Sequence, residues 1–93
     1  MEFRWIEWNT AKVASHGVTP AEVEHVVETA VAPYPQYRPD DKYLVWGSTL
    51  AGRLLQVVYV LDEDDSAFVI HARPLADREK RRRQRRRRRR GHP

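Results

Sequence analysis

His71 and Arg73 stand two residues apart in the segment SAFVIHAR, at the end of an apolar stretch. On a β-strand that spacing puts both side chains on one face. An imidazole can move a proton near neutral pH. A guanidinium keeps its charge and meets phosphate oxygens through a planar fork. The pair therefore suits chemistry at a phosphate, one group as acid and the other as clamp. The competing reading is structural: a half-buried histidine satisfied by a backbone carbonyl, beside an arginine that is solvated or ion-paired at a strand end.

Close behind lies KRRRQRRRRRR, from Lys80 to Arg90. Ten of the 17 Lys and Arg residues fall there, whereas all 13 Asp and Glu residues lie within residues 1–79. The net charge of +4 thus divides into about −6 on a body and +10 on an arm. Such a split points to a polyanionic partner, most often nucleic acid. Lys80, Arg81, Arg82 and Arg83 are the first candidates for RNA contacts, with a salt slope of about −0.7 per phosphate on single strands. The arm holds no group that acts as acid or base near neutral pH, so any chemistry belongs to the segment before it. A solvated tail, a localisation device and an arm pairing with the body's own acids are its plainer readings.

The elements that must position these groups can be read in order. FRWIEW (Phe3 to Trp8) predicts a first strand or an extended arm. NTAKVASHG predicts a short helix with Asn9 or Thr10 as N-cap and Gly17 as its stop. TPAEVEHVVETAV is the sharpest local signal. Thr19 at N-cap, Pro20 at N1 and Glu22 at N3 form a capping box, and Val23, Val26, Val27 and Ala30 make one apolar face. Glu22, Glu24 and Glu28 are expected to face water. KYLVWGS, RLLQVVYVL and SAFVIHAR read as strands joined by the turn-rich GSTLAG and DEDDS. The continuously apolar Arg53 to Leu61 is expected to be central and covered on both faces. Pro74 ends the last strand, and Asp77 can cap a final helix that runs into the arginines. The expectation is an α+β body over residues 1–79, a small antiparallel sheet of 3–5 strands with one or two N-terminal helices and a C-terminal helix. An arginine-rich tail over 80–93 follows, helical at its start or disordered.

Taken in this order, the Trp-rich N-terminal segment, HGVTPAEVE, RLLQVVYVL and IHAR before a charged helix resemble the BrnT family of bacterial toxins. That family comprises small ribonucleases of type II toxin–antitoxin modules with a RelE-like fold. The likeness spans roughly Phe3 to Glu79. Family members read Lys-His-Gly-Val before the capped helix where this chain has Ser15-His16-Gly17-Val18. Their last strand reads Ile-Ser-Ala-Arg where this chain has Ile70-His71-Ala72-Arg73, and a Glu in the next helix is matched by Glu79. The resemblance implies metal-free RNA cleavage and translation inhibition, with catalytic groups among Arg73, His71, His16 and Glu79. It also implies a cognate antitoxin, a small ribbon-helix-helix DNA-binding protein, in a dimer or heterotetramer.

Each role has an alternative. His16 can simply close the turn before the helix, and Glu79 can be a base or only favour the helix dipole. Arg53, Arg38 and Lys42 can touch phosphate or serve as plain surface cations. Tyr43, Tyr59 and Trp46 can stack a base, though aromatics on strands of so small a body favour the core. With no cysteine, thiolate metal sites and disulfides are excluded, and His25-Val26-Val27-Glu28 is not the two-histidine zinc pattern. No metal and no cofactor is expected. MEFRWIEWNT lacks the pattern of a secretory signal and no apolar run suits a membrane span, so a soluble, cytoplasmic protein is expected. Besides the nuclease, two other functions fit: a non-catalytic RNA-binding module or degenerate toxin acting through its arm, and a structural partner of a DNA-binding repressor.

Overall fold

A computed structural model describes residues 1–91 and the side chains of residues 1–85. His92 and Pro93, the end of the expected tail, lie outside the described residues. In chain order the elements are β1 (Phe3–Arg4), α1 (Glu7–Ala14), α2 (Pro20–Glu28), β2 (Gln36–Arg38), β3 (Lys42–Ser48), β4 (Leu54–Leu61), β5 (Ala67–Pro74) and α3 (Asp77–Gly91). The strands form one sheet in the order β1-β5-β4-β3-β2. The meander β2 to β5 is antiparallel, as expected, while β1 adds to the edge of β5 in parallel.

The N-terminal stretch departs from its expected form. The strand stops at Arg4 and the helix starts at Glu7, with Ile6 as N-cap, so neither Asn9 nor Thr10 caps it. The cause is the side chain of Asn9, which is fully buried. Its Oδ1 accepts the Ile6 N–H at 2.7 Å, and its Nδ2 donates to the carbonyls of Arg4 and Val69, both at 3.1 Å. One amide thus turns the chain out of β1 and ties it to β5.

The capped helix folds as its residues require. Thr19 Oγ1 accepts the Glu22 N–H at 3.2 Å, and Glu22 Oε1 accepts the Thr19 N–H at 3.0 Å. Val23, Val26 and Val27 are buried against the sheet, with Val13, Val18, Val45, Leu55, Val57, Tyr59 and Val69 completing the core. Glu24 does not simply face water: it is half-buried and accepts a hydrogen bond from Trp5 Nε1 at 2.8 Å. A Cβ added at Gly47 would come within 3.1 Å of Val26 Cγ1. Val26 is fully buried and its β-branched χ1 is fixed on a helix, so it cannot yield. Gly47→Ala is therefore expected to cost about 1 kcal/mol, overpacking outweighing the gain in strand propensity. Urea denaturation measures the loss.

β4 lies at the centre, but it is covered fully on one side only. Leu55, Val57 and Tyr59 are buried in the core; Leu54, Gln56, Val58 and Val60, on the opposite face, are half-buried. The registers place Trp46, Gln56 and Arg73 in one row across that opposite face, and Leu44, Val58 and His71 in the next. α3 leaves β5 through the buried Leu75, and Leu75 N–H donates to Leu54 O at 2.9 Å. Asp77 is the first helical residue rather than the cap, because Ala76 O already accepts the Lys80 N–H at 2.9 Å.

Candidate functional site

The open sheet face holds the pair that the sequence singled out. Val57↔Ala72 lies on the core side, so its neighbours Val58↔His71 and Gln56↔Arg73 point the other way. A register shift between Val58 and Tyr59 leaves Ile70 without a cross-strand partner. This bulge resets the alternation so that Val69 and Ala72, three residues apart, are both buried. His71 and Arg73 therefore share the outer face.

His16 comes to the same place from the turn after α1. Its ring lies edge-on to His71 at a centroid distance of 5.9 Å. That turn is built by His16 N–H donating to Val13 O and by Gly17 at a φ of +70°, which only glycine adopts without strain. Arg53 braces it: Nη1 meets Glu22 Oε2 at 3.3 Å, and Nη2 would lie 3.7 Å from a Cβ at Gly17. The first residue of the central apolar run thus holds the His16 turn against α2.

Arg73 is gripped by Glu79. Nη1 donates to Oε1 and Nη2 to Oε2, each at 2.8 Å, and Nη1 also reaches Pro74 O at 3.0 Å. Glu79 Oε1 accepts the Ala76 N–H as well, at 2.8 Å, so the same carboxylate caps α3. The Arg73 guanidinium and this N–H hold the Glu79 carboxyl at about 2, well below its ordinary 4.5. So weak a base is poorly matched to taking a proton near neutral pH, and its geometry makes it a positioning residue for Arg73. The end-on fork of Arg73 is occupied, whereas Nε–H and the second Nη2–H make no hydrogen bond among the described residues. That side-on fork matches two phosphate oxygens.

The His71 imidazole is held below the ordinary 6.5, first by burial and then by the positive charges of Arg73, His16 and Lys12. It is therefore mostly neutral at pH 7 and able to accept a proton. Lys12, missed in the sequence, stands over the Trp8 ring at 4.7 Å. Trp8, half exposed, stacks on Phe68 at 6.0 Å, and Arg4 covers Phe68 at 4.1 Å. A ladder of rings and cations thus lies along the edge beside His71.

The remaining cations divide. Arg38 and Lys42 are cross-strand partners at the far edge of the sheet. Arg38 and Arg82 line a cleft of about 150 Å³ on the open face, with Tyr34, Gln36, Leu44, Trp46 and Gln56. Lys80 lies 3.8 Å from Asp77, Arg81 is exposed and Arg83 is half-buried on α3. Tyr59 belongs to the core and Tyr43 packs half-buried against it, as their strand positions favour. Trp46 is also buried, but beneath the cleft on the other face.

The sequence model of a family described as a domain of unknown function (DUF4258) matches residues 11–73. The chain is also similar to the solved structure of the Brucella abortus ribonuclease toxin BrnT, with 18% sequence identity and a TM-score of 0.66. That alignment covers 83% of this chain and 99% of the toxin. No curated protein sequence matches. The α+β architecture expected from the sequence is thus that of a BrnT-like fold. No described helix is long and apolar enough to cross a membrane.

Proposed function

The chain belongs to the DUF4258 family, and from that premise, its BrnT-like fold and the β5 site, we propose that it is an endoribonuclease toxin. The observation that carries the reading is His71 and Arg73 on one strand face with His16 5.9 Å from His71. Neutral His71 takes the proton of a ribose 2′-hydroxyl as its oxygen attacks the adjacent phosphorus. Arg73, aimed by Glu79, stabilises the charge that develops on the phosphorane through its side-on fork. His16, in its protonated form, donates to the departing 5′-oxygen as the P–O5′ bond breaks, leaving a 2′,3′-cyclic phosphate. No step needs a metal. The arginines of α3 raise the local RNA concentration.

In the cell this activity inhibits translation, acting in the cytoplasm on mRNA or ribosome-associated RNA. A co-encoded ribbon-helix-helix antitoxin neutralises it in a dimeric or heterotetrameric complex. The test is incubation of the purified full chain with single-stranded RNA in EDTA, with the products' ends identified. Cyclic phosphate ends are expected; intact RNA overturns the reading. The acid limb of the rate profile is expected below pH 6.5, because the base must be unprotonated and His71 is depressed. Lys12→Ala removes a charge that opposes the imidazolium and moves that limb upward. A limb at or above 6.5, unmoved by this change, argues against His71 as base.

A second reading rests on the Arg73–Glu79 grip itself. If the carboxylate keeps the guanidinium from phosphate, the chain is a non-catalytic RNA-binding module acting through α3. Deletion after Lys80 discriminates: lost binding with no cleavage at any stage supports the binding module, and cleavage retained with weaker binding supports the enzyme.

A further inference from the structure

The cleft on the open sheet face adjoins the proposed catalytic pair, and its lining differs from the rest of the surface. The guanidiniums of Arg4, Arg53 and Arg73 each have a carboxylate partner. Those of Arg38 and Arg82, which both line the cleft, have none among the described residues. Two such guanidiniums at one concavity, one from the acidic body and one from the basic arm, make it attractive to an anion. Its volume of about 150 Å³ is below the roughly 300–1,000 Å³ of sites for drug-sized ligands, and suits one heterocycle rather than two.

The cleft's polar chemistry is also oriented. Trp46 Nε1 donates to Gln56 Oε1 at 3.0 Å, which fixes the orientation of that amide and leaves both hydrogens of Nε2–H₂ to donate. Gln56 is the cross-strand partner of Arg73, so the cleft opens one residue from the proposed phosphate clamp. Tyr34 supplies an aromatic wall beside Trp46, the ring centroids 6.2 Å apart. We infer that this cleft is a nucleotide subsite that takes a guanine base, its acceptor edge toward Gln56 Nε2 and an arginine fork. O6 and N7 of guanine are both acceptors and match an amide N–H together with an arginine fork, whereas adenine presents a donor at N6 that the two guanidiniums cannot accept. The inference rests on the nuclease reading for its link to RNA: a base seated here places its phosphate toward Arg73 and makes the cleft the determinant of where the chain is cut.

Guanosine monophosphate is the probe, added to the full chain while the Trp46 indole N–H resonance is followed by NMR. GMP is expected to shift that resonance at lower concentration than AMP, CMP or UMP. Gln56→Glu keeps an acceptor for the indole and so preserves the fold, but replaces the donor. It is expected to weaken GMP binding about tenfold or more. Arg82→Ala, at an exposed helical position, is expected to weaken it too and to reduce its salt dependence. The absence of a shift with all four nucleotides overturns the inference. So does an equal shift with inorganic phosphate alone, or unchanged GMP affinity in Gln56→Glu. Because none of these probes can be cleaved, the two readings fail separately. GMP binding without RNA cleavage counts against the nuclease, and cleavage without GMP binding counts against the subsite.

Discussion

Arg73→Ala is expected to lower RNA cleavage about a hundredfold or more, as loss of an oriented transition-state donor does elsewhere. Its side chain is 31% exposed and points away from the core, so the substitution leaves no core cavity. Arg73→Lys keeps the charge but loses the planar fork, and is expected to recover only part of the rate. Glu79→Gln retains a carbonyl oxygen for the Ala76 or Arg73 contacts but drops the charge, and should lower the rate less than loss of Arg73 itself. A fluorescent single-stranded RNA in EDTA reads all three. Equal cutting by Arg73→Ala and the parent chain would remove Arg73 from the mechanism.

The same pair has an acid signature. The Glu79 carboxyl is depressed from 4.5 to about 2 in the folded chain, so the unfolded chain binds the extra proton. The stabilisation it contributes is complete above pH 4.5 and is lost as the pH falls through 2. Arg73→Ala abolishes most of the depression, because the guanidinium is its largest cause. Between pH 4.5 and 2 the variant's stability should therefore fall less steeply than the parent's. Parallel losses would contradict the grip.

Asn9→Ala is expected to cost about 3 kcal/mol, since it leaves two carbonyls and one N–H to find new partners. The bond from the Ile6 N–H is only part-buried, whereas the bond to Val69 O is buried. A domain this small holds about 5 kcal/mol or little more, so a fall in Tm of about 12–24 °C should follow. Asn9→Asp should be worse still. It keeps the acceptor for Ile6 but turns a carboxylate against two carbonyl oxygens in a buried site. Thermal denaturation decides it, and an aspartate variant as stable as the parent would sink this account of the N-terminal turn.

Much of the fold was legible in short stretches. Thr19, Pro20 and Glu22 act within one helical turn, so local spacing specifies α2. Pro74 ends β5 through its own covalent structure. The segment from Phe3 to Asn9 was not legible in this way. Its conformation depends on Asn9 reaching Val69, sixty residues along the chain, and a buried asparagine spelled next to threonine looks like an ordinary cap. Gln56 illustrates the same limit at the candidate site. A lone polar residue inside RLLQVVYVL carries no sign of its direction until Trp46, its cross-strand neighbour, donates to its Oε1.

By itself, then, the order of residues determined the element types, the buried face of α2, the split between acidic body and basic arm, and the common face of His71 and Arg73. Those properties follow from spacing, capping and charge, each of which acts over a few residues. Only the tertiary structure decided that Glu79 grips Arg73, that His16 meets His71, and that Arg38 and Arg82 share a cleft beside Gln56. Those contacts join side chains from separate elements, and their distances depend on sheet register, on the bulge at Ile70 and on the path of α3 across the open face.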